Sequence, residues 1–126
     1  MAAPVMTFNT AGNALASSSV AAGANTSFNL DLSAKFEGQL EFECTFGTIG
    51  SPAGLQAQIF AGYGSTPTYP TTNPNFTYVL VAVSGLQKSP KIFLPTGKWH
   101  VVLTNLDTSN GLTTVAATLD TVDTIS

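Results

Sequence analysis

Apolar and polar residues alternate along several short stretches of the chain, most clearly over residues 39–46. Leu40, Phe42, Cys44 and Phe46 fall on one side of this stretch, and Gln39, Glu41, Glu43 and Thr45 fall on the other. A period of two over eight residues is typical of a strand with one buried and one solvated face. The pattern therefore predicts a buried, unreactive Cys44 and solvent-facing glutamates.

Further strands are predicted at 26–32, 55–63, 91–94, 98–106 and 112–119, with a first one at 4–8. Residues 76–83 are almost continuously apolar, which favours a strand covered on both faces. Frequent Gly and Pro exclude long helices. The spacing of strands and turns is typical of a sandwich or jelly roll. We therefore expect an all-β fold, a single β-sandwich or jelly roll of about eight antiparallel strands with an N-terminal arm.

The chain divides by composition into residues 1–25 and residues 26–126. The first part is rich in Ala, Ser, Asn and Gly and has no charged side chain. Burial of its few large apolar groups does not offset the entropy of ordering it, so other contacts must contribute. Two interpretations remain open: a first edge strand followed by a flexible loop, or an arm that orders on a neighbouring subunit. Residues 26–126 are predicted to form the sandwich domain.

Charge narrows the range of partners. Charged residues make up 9% of the chain, against about 25% in an ordinary soluble domain. The net charge is −3, and the only basic residues apart from one histidine are four separated lysines. Because a nucleic-acid or anionic membrane surface requires a basic patch, neither is expected as a partner. The N-terminal residues lack the features of a secretion signal, so we expect folding in a cytoplasm.

The sequence offers few candidates for catalytic or metal-binding residues. One histidine, His100, and one cysteine do not complete a zinc site, and no serine lies in a nucleophile-elbow motif. Asp107, Asp120 and Asp123 lack the spacing of a calcium loop, and no glycine motif resembles a phosphate-binding loop. We therefore expect no catalytic residue, metal or cofactor.

Aromatic residues are the best candidates for a binding surface. Phe60 falls on the polar side of its strand, and Tyr63 and Tyr69 lie at or in the proline-rich loop 64–75. Three interpretations stay open: a covered second layer, a protein contact, or stacking on a sugar ring. The predicted interface residues, including those of the arm, are Val5, Met6, Phe8, Phe60, Tyr63 and Tyr69.

Several short motifs carry a resemblance along most of the chain. They are Phe36-x-Gly38-x-Leu40, Phe46-Gly47-Thr48 followed by Ala53-Gly54-Leu55, Leu94-Pro95-Thr96-Gly97-Lys98-Trp99, Val101-x-Leu103-Thr104-Asn105-Leu106-Asp107 with the turn Asn110-Gly111, and Asp120-Thr121-Val122-Asp123. Residues 28 to about 123 resemble the small all-β virion proteins of tailed bacteriophages.

The resemblance implies a capsid decoration, or cement, protein that braces the outside of a phage head. Its partner would be the major capsid protein, and it would form a homo-oligomer, with a trimer favoured. It would be located on the virion after assembly in the host cytoplasm. The alternative is a tail or head-fibre protein, or a carbohydrate-binding module that stacks Tyr63, Tyr69 or Trp99 on a glycan.

Overall fold

The computed structural model describes residues 6–62 and 66–125, and the side chains of residues 14–62 and 66–122. Nine strands occur in this part of the chain: β1 (Met6–Val20), β2 (Asn25–Asp31), β3 (Glu37–Phe46), β4 (Leu55–Ala61), β5 (Phe76–Leu80), β6 (Gly85–Lys88), β7 (Ile92–Pro95), β8 (Lys98–Asn105) and β9 (Leu112–Ile125). They pair antiparallel in two sheets, which confirms the predicted all-β sandwich. The described residues contain no helix that is long and apolar enough to cross a membrane.

The larger sheet has five strands. Its order is β1-β9-β3, and both β6 and β7 then pair with the free side of β3. β6 covers the second half of β3 and β7 covers the first half. Ser89 joins them, because its N–H donates to the Phe42 carbonyl at 2.8 Å and its Oγ accepts from the Phe42 N–H at 2.9 Å. One edge of this sheet is thus formed by a nearly continuous segment.

The smaller sheet has four strands in the order β2-β8-β4-β5. The core fills the space between the sheets, and alternation decides which side chains enter it. Leu40, Phe42 and Cys44 of β3 are at most 1% exposed, as the pattern predicted. Burial also raises the pKa of the Cys44 thiol to about 12, so the thiol stays protonated.

The N-terminal region departs from the predicted loop. β1 pairs with β9 from Met6 opposite Ile125 to Val20 opposite Leu112, with several register irregularities. The flexible loop expected after residue 8 is therefore wrong, because the backbone of β9 supplies hydrogen-bonding partners almost to the end of the arm. For the same reason β9 continues beyond residue 119. The division of the chain into an arm, residues 1–25, and a sandwich domain, residues 26–126, stays a prediction.

The predicted cover over residues 76–83 is also wrong. β5 ends at Leu80 and, among the described strands, pairs only with β4, so it is the edge strand of the smaller sheet. Phe76 is 41% exposed and Val81 is 69% exposed. The apolar run predicted a strand that is buried on both faces. At the edge of a sheet, however, β5 has a neighbouring strand on one side only in the part of the chain that the structure describes, and its side chains are covered less. β6, which follows, was not predicted.

Candidate functional site

Exposed apolar side chains concentrate on one side of the sandwich. β5 is the free edge of the smaller sheet, β6 and β7 form a free edge of the larger sheet, and residues 81–84 cross between them. We call this surface the apolar edge and define it by the exposed apolar residues Phe76, Val79, Val81, Val83, Leu86 and Phe93. The remaining large apolar residues exposed in the described part, Phe36 and Ile49, flank the two ends of β3, which pairs directly with β6 and β7.

Strand register sets the directions of these side chains. Leu86 lies opposite Thr45 and Phe93 lies opposite Gln39, so both face solvent on the larger sheet. Val79 lies opposite Gln56 on the solvent face of the smaller sheet. The apolar edge therefore continues around the side of the sandwich from one outer face to the other.

Charges near the apolar edge are paired within the chain. Lys88 Nζ lies 4.0 Å from the Glu43 carboxylate, and Lys91 Nζ lies 3.5 Å from the Asp120 carboxylate. Exposed pairs of this kind contribute at most about 1 kcal/mol each to stability. Their main consequence is electrostatic, since they leave little net charge between Leu86 and Phe93.

The edge segment also opposes pairing with a foreign strand. Pro90 and Pro95 have no N–H to donate, and Lys88 and Lys91 place charge along the strand. Proline and lysine are common protections against edge-to-edge pairing of sheets. A partner would therefore recognise this surface through side-chain packing rather than by adding a strand.

A second surface lies on the solvent face of the smaller sheet, where residues 66–75 approach β4 and β8. The loop is anchored by Asn75, whose N–H donates to the Ile59 carbonyl at 2.8 Å and whose Oδ1 accepts from the Ala61 N–H at 2.9 Å. The Tyr69 ring lies 5.3 Å from the His100 ring between centroids. A Cβ on Gly62 would lie 2.6 Å from Tyr69 Cε1, so glycine at position 62 allows this close approach.

A cavity of about 260 Å³ opens beside these rings. Its lining residues, none of them charged, are Asn25, Gln58, Phe60, Pro70, Thr71, His100, Val102 and Thr104. His100 Nδ1 lies 2.6 Å from Asn29 Oδ1. Because an amide oxygen only accepts, Nδ1 is the donor in this hydrogen bond.

The Asp107 carboxylate connects two loops through hydrogen bonds. Its buried carboxylate accepts hydrogen bonds from the Gly50, Ser109 and Asn110 N–H groups and from the Asn110 side-chain amide, at 2.7–3.0 Å. These bonds, led by the Asn110 amide, lower its pKa from 3.8 to about 2. They join the loop after β3 to the turn after β8. Among the described residues, no group of three or more His, Cys, Asp or Glu side chains is arranged to hold a metal.

Of the predicted interface residues, only Phe60 and Tyr69 have side chains in the described part of the chain, and neither belongs to the apolar edge. Val5 and Tyr63 fall outside the described residues, as do the side chains of Met6 and Phe8, whose backbones pair with β9. Phe60 is 2% exposed, which matches the covered-layer interpretation. Tyr69 is half-buried against His100. A protein contact by these residues stays a prediction.

Trp99, which the glycan alternative included, faces the core and is 6% exposed. The apolar edge was not predicted, because its one signal in the sequence, the run at 76–83, was interpreted as a covered strand. The amide and hydroxyl side chains around the cavity were not predicted either, because they come from separate strands.

No protein-family model and no curated protein matches the chain. Among solved structures, it is similar to the VP2 subviral particle of infectious bursal disease virus, with a TM-score of 0.49 and 15% identity over 94% of this chain and 33% of that one. It is also similar to a family GH115 4-O-methyl-α-glucuronidase with specificity for decorated arabinogalactans (TM-score 0.46, 13% identity, 84% of this chain, 16% of that one). A third is the Yersinia pseudotuberculosis-derived mitogen (TM-score 0.42, 10% identity, 95% and 86%).

The chain spans about a third of the length of the viral protein that it resembles. The three similar structures have different functions, and at these TM-scores and identities no function is transferred from any of them.

Proposed function

We propose that this chain is a structural protein of a virus particle, of the capsid-decoration type, and that it binds the major capsid protein through the apolar edge. The observation that carries the proposal is the concentration of exposed apolar side chains on one side of the sandwich. Residues 28 to about 123 resemble small virion proteins of tailed bacteriophages, and this resemblance supports the choice of a capsid as the partner. Head stabilisation follows from protein–protein contact and requires no chemistry.

The apolar edge has the properties of a contact surface. Apolar patches that are larger than scattered single residues mark interaction sites on soluble proteins, because leaving them in water is unfavourable. Val81 and Phe93 each expose more than half of their surface. The nearby lysines already have acidic partners, so a neighbour would bury few uncompensated charges.

The same surface is also held rigidly. Phe93 lies on β7, Leu86 lies on β6, and the Ser89 hydrogen bonds to Phe42 fix the segment between them. A preformed surface loses little conformational entropy when it binds. We therefore expect the main contact at the apolar edge rather than at the arm, residues 1–25, whose strand β1 already pairs with β9. A homotrimer remains the expected oligomer, on the resemblance alone.

Reconstitution on phage heads tests the proposal. Heads of the phage that encodes this chain, prepared without the protein, are mixed with the full-length chain and sedimented. We expect saturable binding, and at least tenfold weaker binding for Val81→Asp and Phe93→Asp, since a buried unpaired charge costs several kcal/mol. Ser19→Asp is the matched control, because Ser19 is exposed on β1 at the opposite edge of the larger sheet.

Three results would overturn the proposal. One is unchanged binding by both edge variants while circular dichroism shows them folded. Another is sedimentation with purified tails and not with heads, which would favour the tail or fibre alternative. A third is the absence of the chain from the purified virions by mass spectrometry.

A further inference from the structure

The solvent face of the smaller sheet gathers uncharged hydrogen-bonding groups from three strands. The register places Asn25 of β2 opposite Thr104 of β8, and places Gln58 of β4 opposite Val102 of β8. Thr71, from the loop after β4, lines the same cavity. This arrangement brings amides and hydroxyls from distant parts of the chain around one space.

These groups remain available to a ligand. Within the described residues, the side chains of Asn25, Gln58 and Thr104 make no hydrogen bond to one another or to the backbone. Each amide offers two donor hydrogens and an acceptor oxygen, and the hydroxyl offers one donor and two lone pairs. His100 adds Nε2, because its Nδ1 is engaged by Asn29.

Aromatic rings lie on one side of the cavity: Phe60 and His100 line it, and Tyr69 lies next to His100. The His100 ring lies 5.3 Å from Tyr69 and 6.5 Å from Phe60, with interplanar angles of 35° and 37°. Phe60 is buried beneath, whereas Tyr69 and His100 are half-exposed. Aromatic rings therefore lie next to the amide side chains that line the cavity.

We infer that this cavity binds a neutral saccharide, with the His100 ring of the lining and the adjacent Tyr69 ring against the face of a sugar ring, and with Asn25, Gln58 and Thr104 hydrogen-bonded to its hydroxyls. A sugar ring combines an apolar C–H face with a rim of hydroxyl groups that both donate and accept. The lining residues match both properties.

The uncharged lining also decides against other ligands. Phosphates and nucleotides are normally held by Lys, Arg or a helix N-terminus, none of which lines the cavity. The volume of about 260 Å³ is below the usual range of about 300–1,000 Å³ for drug-sized ligands, which favours a ligand of one or two rings.

The site shares no lining residue with the apolar edge. Its test is therefore separate from the test of capsid binding. A chain that has lost its contact with the capsid should still bind the saccharide, and the reverse should also hold.

Titration of the full chain with neutral disaccharides of glucose, galactose, mannose and N-acetylglucosamine, followed by NMR, tests the inference. At least one should perturb the amide signals of residues 58, 69 and 100 together. We expect Tyr69→Ala to weaken that binding about tenfold and Gln58→Ala to weaken it about two- to tenfold, as for one lost hydrogen bond.

Two matched controls come from the opposite face. Gln39→Ala removes an amide and Phe93→Ala removes an exposed ring, and both residues lie on the larger sheet. Neither should change saccharide affinity. Gly62→Ala, whose new methyl would displace Tyr69, should weaken binding although Gly62 itself does not line the cavity.

The inference is overturned if none of the four sugar classes binds at millimolar concentration. It is also overturned if binding occurs but survives both Tyr69→Ala and Gln58→Ala. Binding of a nucleoside monophosphate at the same residues would replace the saccharide assignment with an anionic ligand.

Discussion

Strand β3 and the segment 76–95 are both rich in apolar residues, and β6 and β7 of that segment pair with β3, yet the apolar side chains of the two regions are buried to different extents. The apolar side chains of β3 at positions 40, 42, 44 and 46 are at most 3% exposed. In the neighbouring segment, Val81 is 69% and Phe93 is 58% exposed. β3 has strands on both sides, whereas β5, β6 and β7 each pair on one side only within the described part of the chain. Position in the sheet, more than apolar content, decides burial here.

The apolar residues of the two regions therefore have different roles. Those of β3 stabilise the fold, since they leave water when the two sheets pack. Those of the apolar edge remain in water after folding and become buried only if a partner covers them. Substitutions in the two regions should therefore affect different measurements.

The largest effect is expected at Phe42, at the centre of β3. Phe42→Ala removes a ring that is 1% exposed and packs edge-on against Tyr78 with centroids 5.9 Å apart. We expect a loss of about 3–5 kcal/mol in the free energy of unfolding, measured by urea denaturation. A loss below about 1 kcal/mol would show that β3 is not central to the core.

A smaller loss in the free energy of unfolding is expected when a methyl group is added to the core at Gly38. A Cβ on Gly38 of β3 would lie 2.5 Å from Leu32 Cδ1 and 3.2 Å from Leu119 Cδ1. Gly38→Ala should therefore cost about 1–3 kcal/mol in the same denaturation experiment. Gly47→Ala is the matched control, because nothing lies within 4 Å of the added methyl group. Equal stability of the two variants would contradict the packing of β3.

The hydrogen bonds of Asp107, which join the loop after β3 to the turn after β8, should make the stability of the fold depend on pH. The pKa of Asp107 is about 2 in the folded chain, below the ordinary 3.8. Its contribution to stability is therefore present above about pH 4 and is lost as the pH falls through about 2. Asp31, whose pKa is lowered by hydrogen bonds from Ser33, acts in the same direction. We expect the urea midpoint to fall between pH 4 and pH 2, and less steeply in Asp107→Asn. Parallel curves for the two proteins would exclude Asp107 as a source.

The smallest effect on stability is expected at the apolar edge. Phe93→Ser should change the free energy of unfolding by no more than about 0.5 kcal/mol, because the ring is already largely in water. The same variant should bind phage heads more weakly in the sedimentation experiment. If Phe93→Ser instead destabilises the chain as Phe42→Ala does, the division between the two regions fails.

Both candidate surfaces show why local sequence patterns have limits. A period of two identifies which residues share a face, as it did for Phe42 and for Trp99, because alternation follows from strand geometry alone. It does not show what covers a face. Phe60 lies on the polar side of β4 and is nevertheless buried; the His100 ring lies 6.5 Å from it between centroids, and Pro70 and Thr71 of the following loop line the same cavity.

The amino-acid sequence by itself determined the all-β class, most strand positions and the inward side chains, since these depend on the local backbone period and on Gly and Pro. Only the tertiary structure decided that 76–95 forms the free side of both sheets, that β1 extends to Val20, and that Asn25, Gln58 and His100 share a cavity. Strand order caused each of these outcomes. It is set by contacts between residues far apart in the chain, which no local pattern contains.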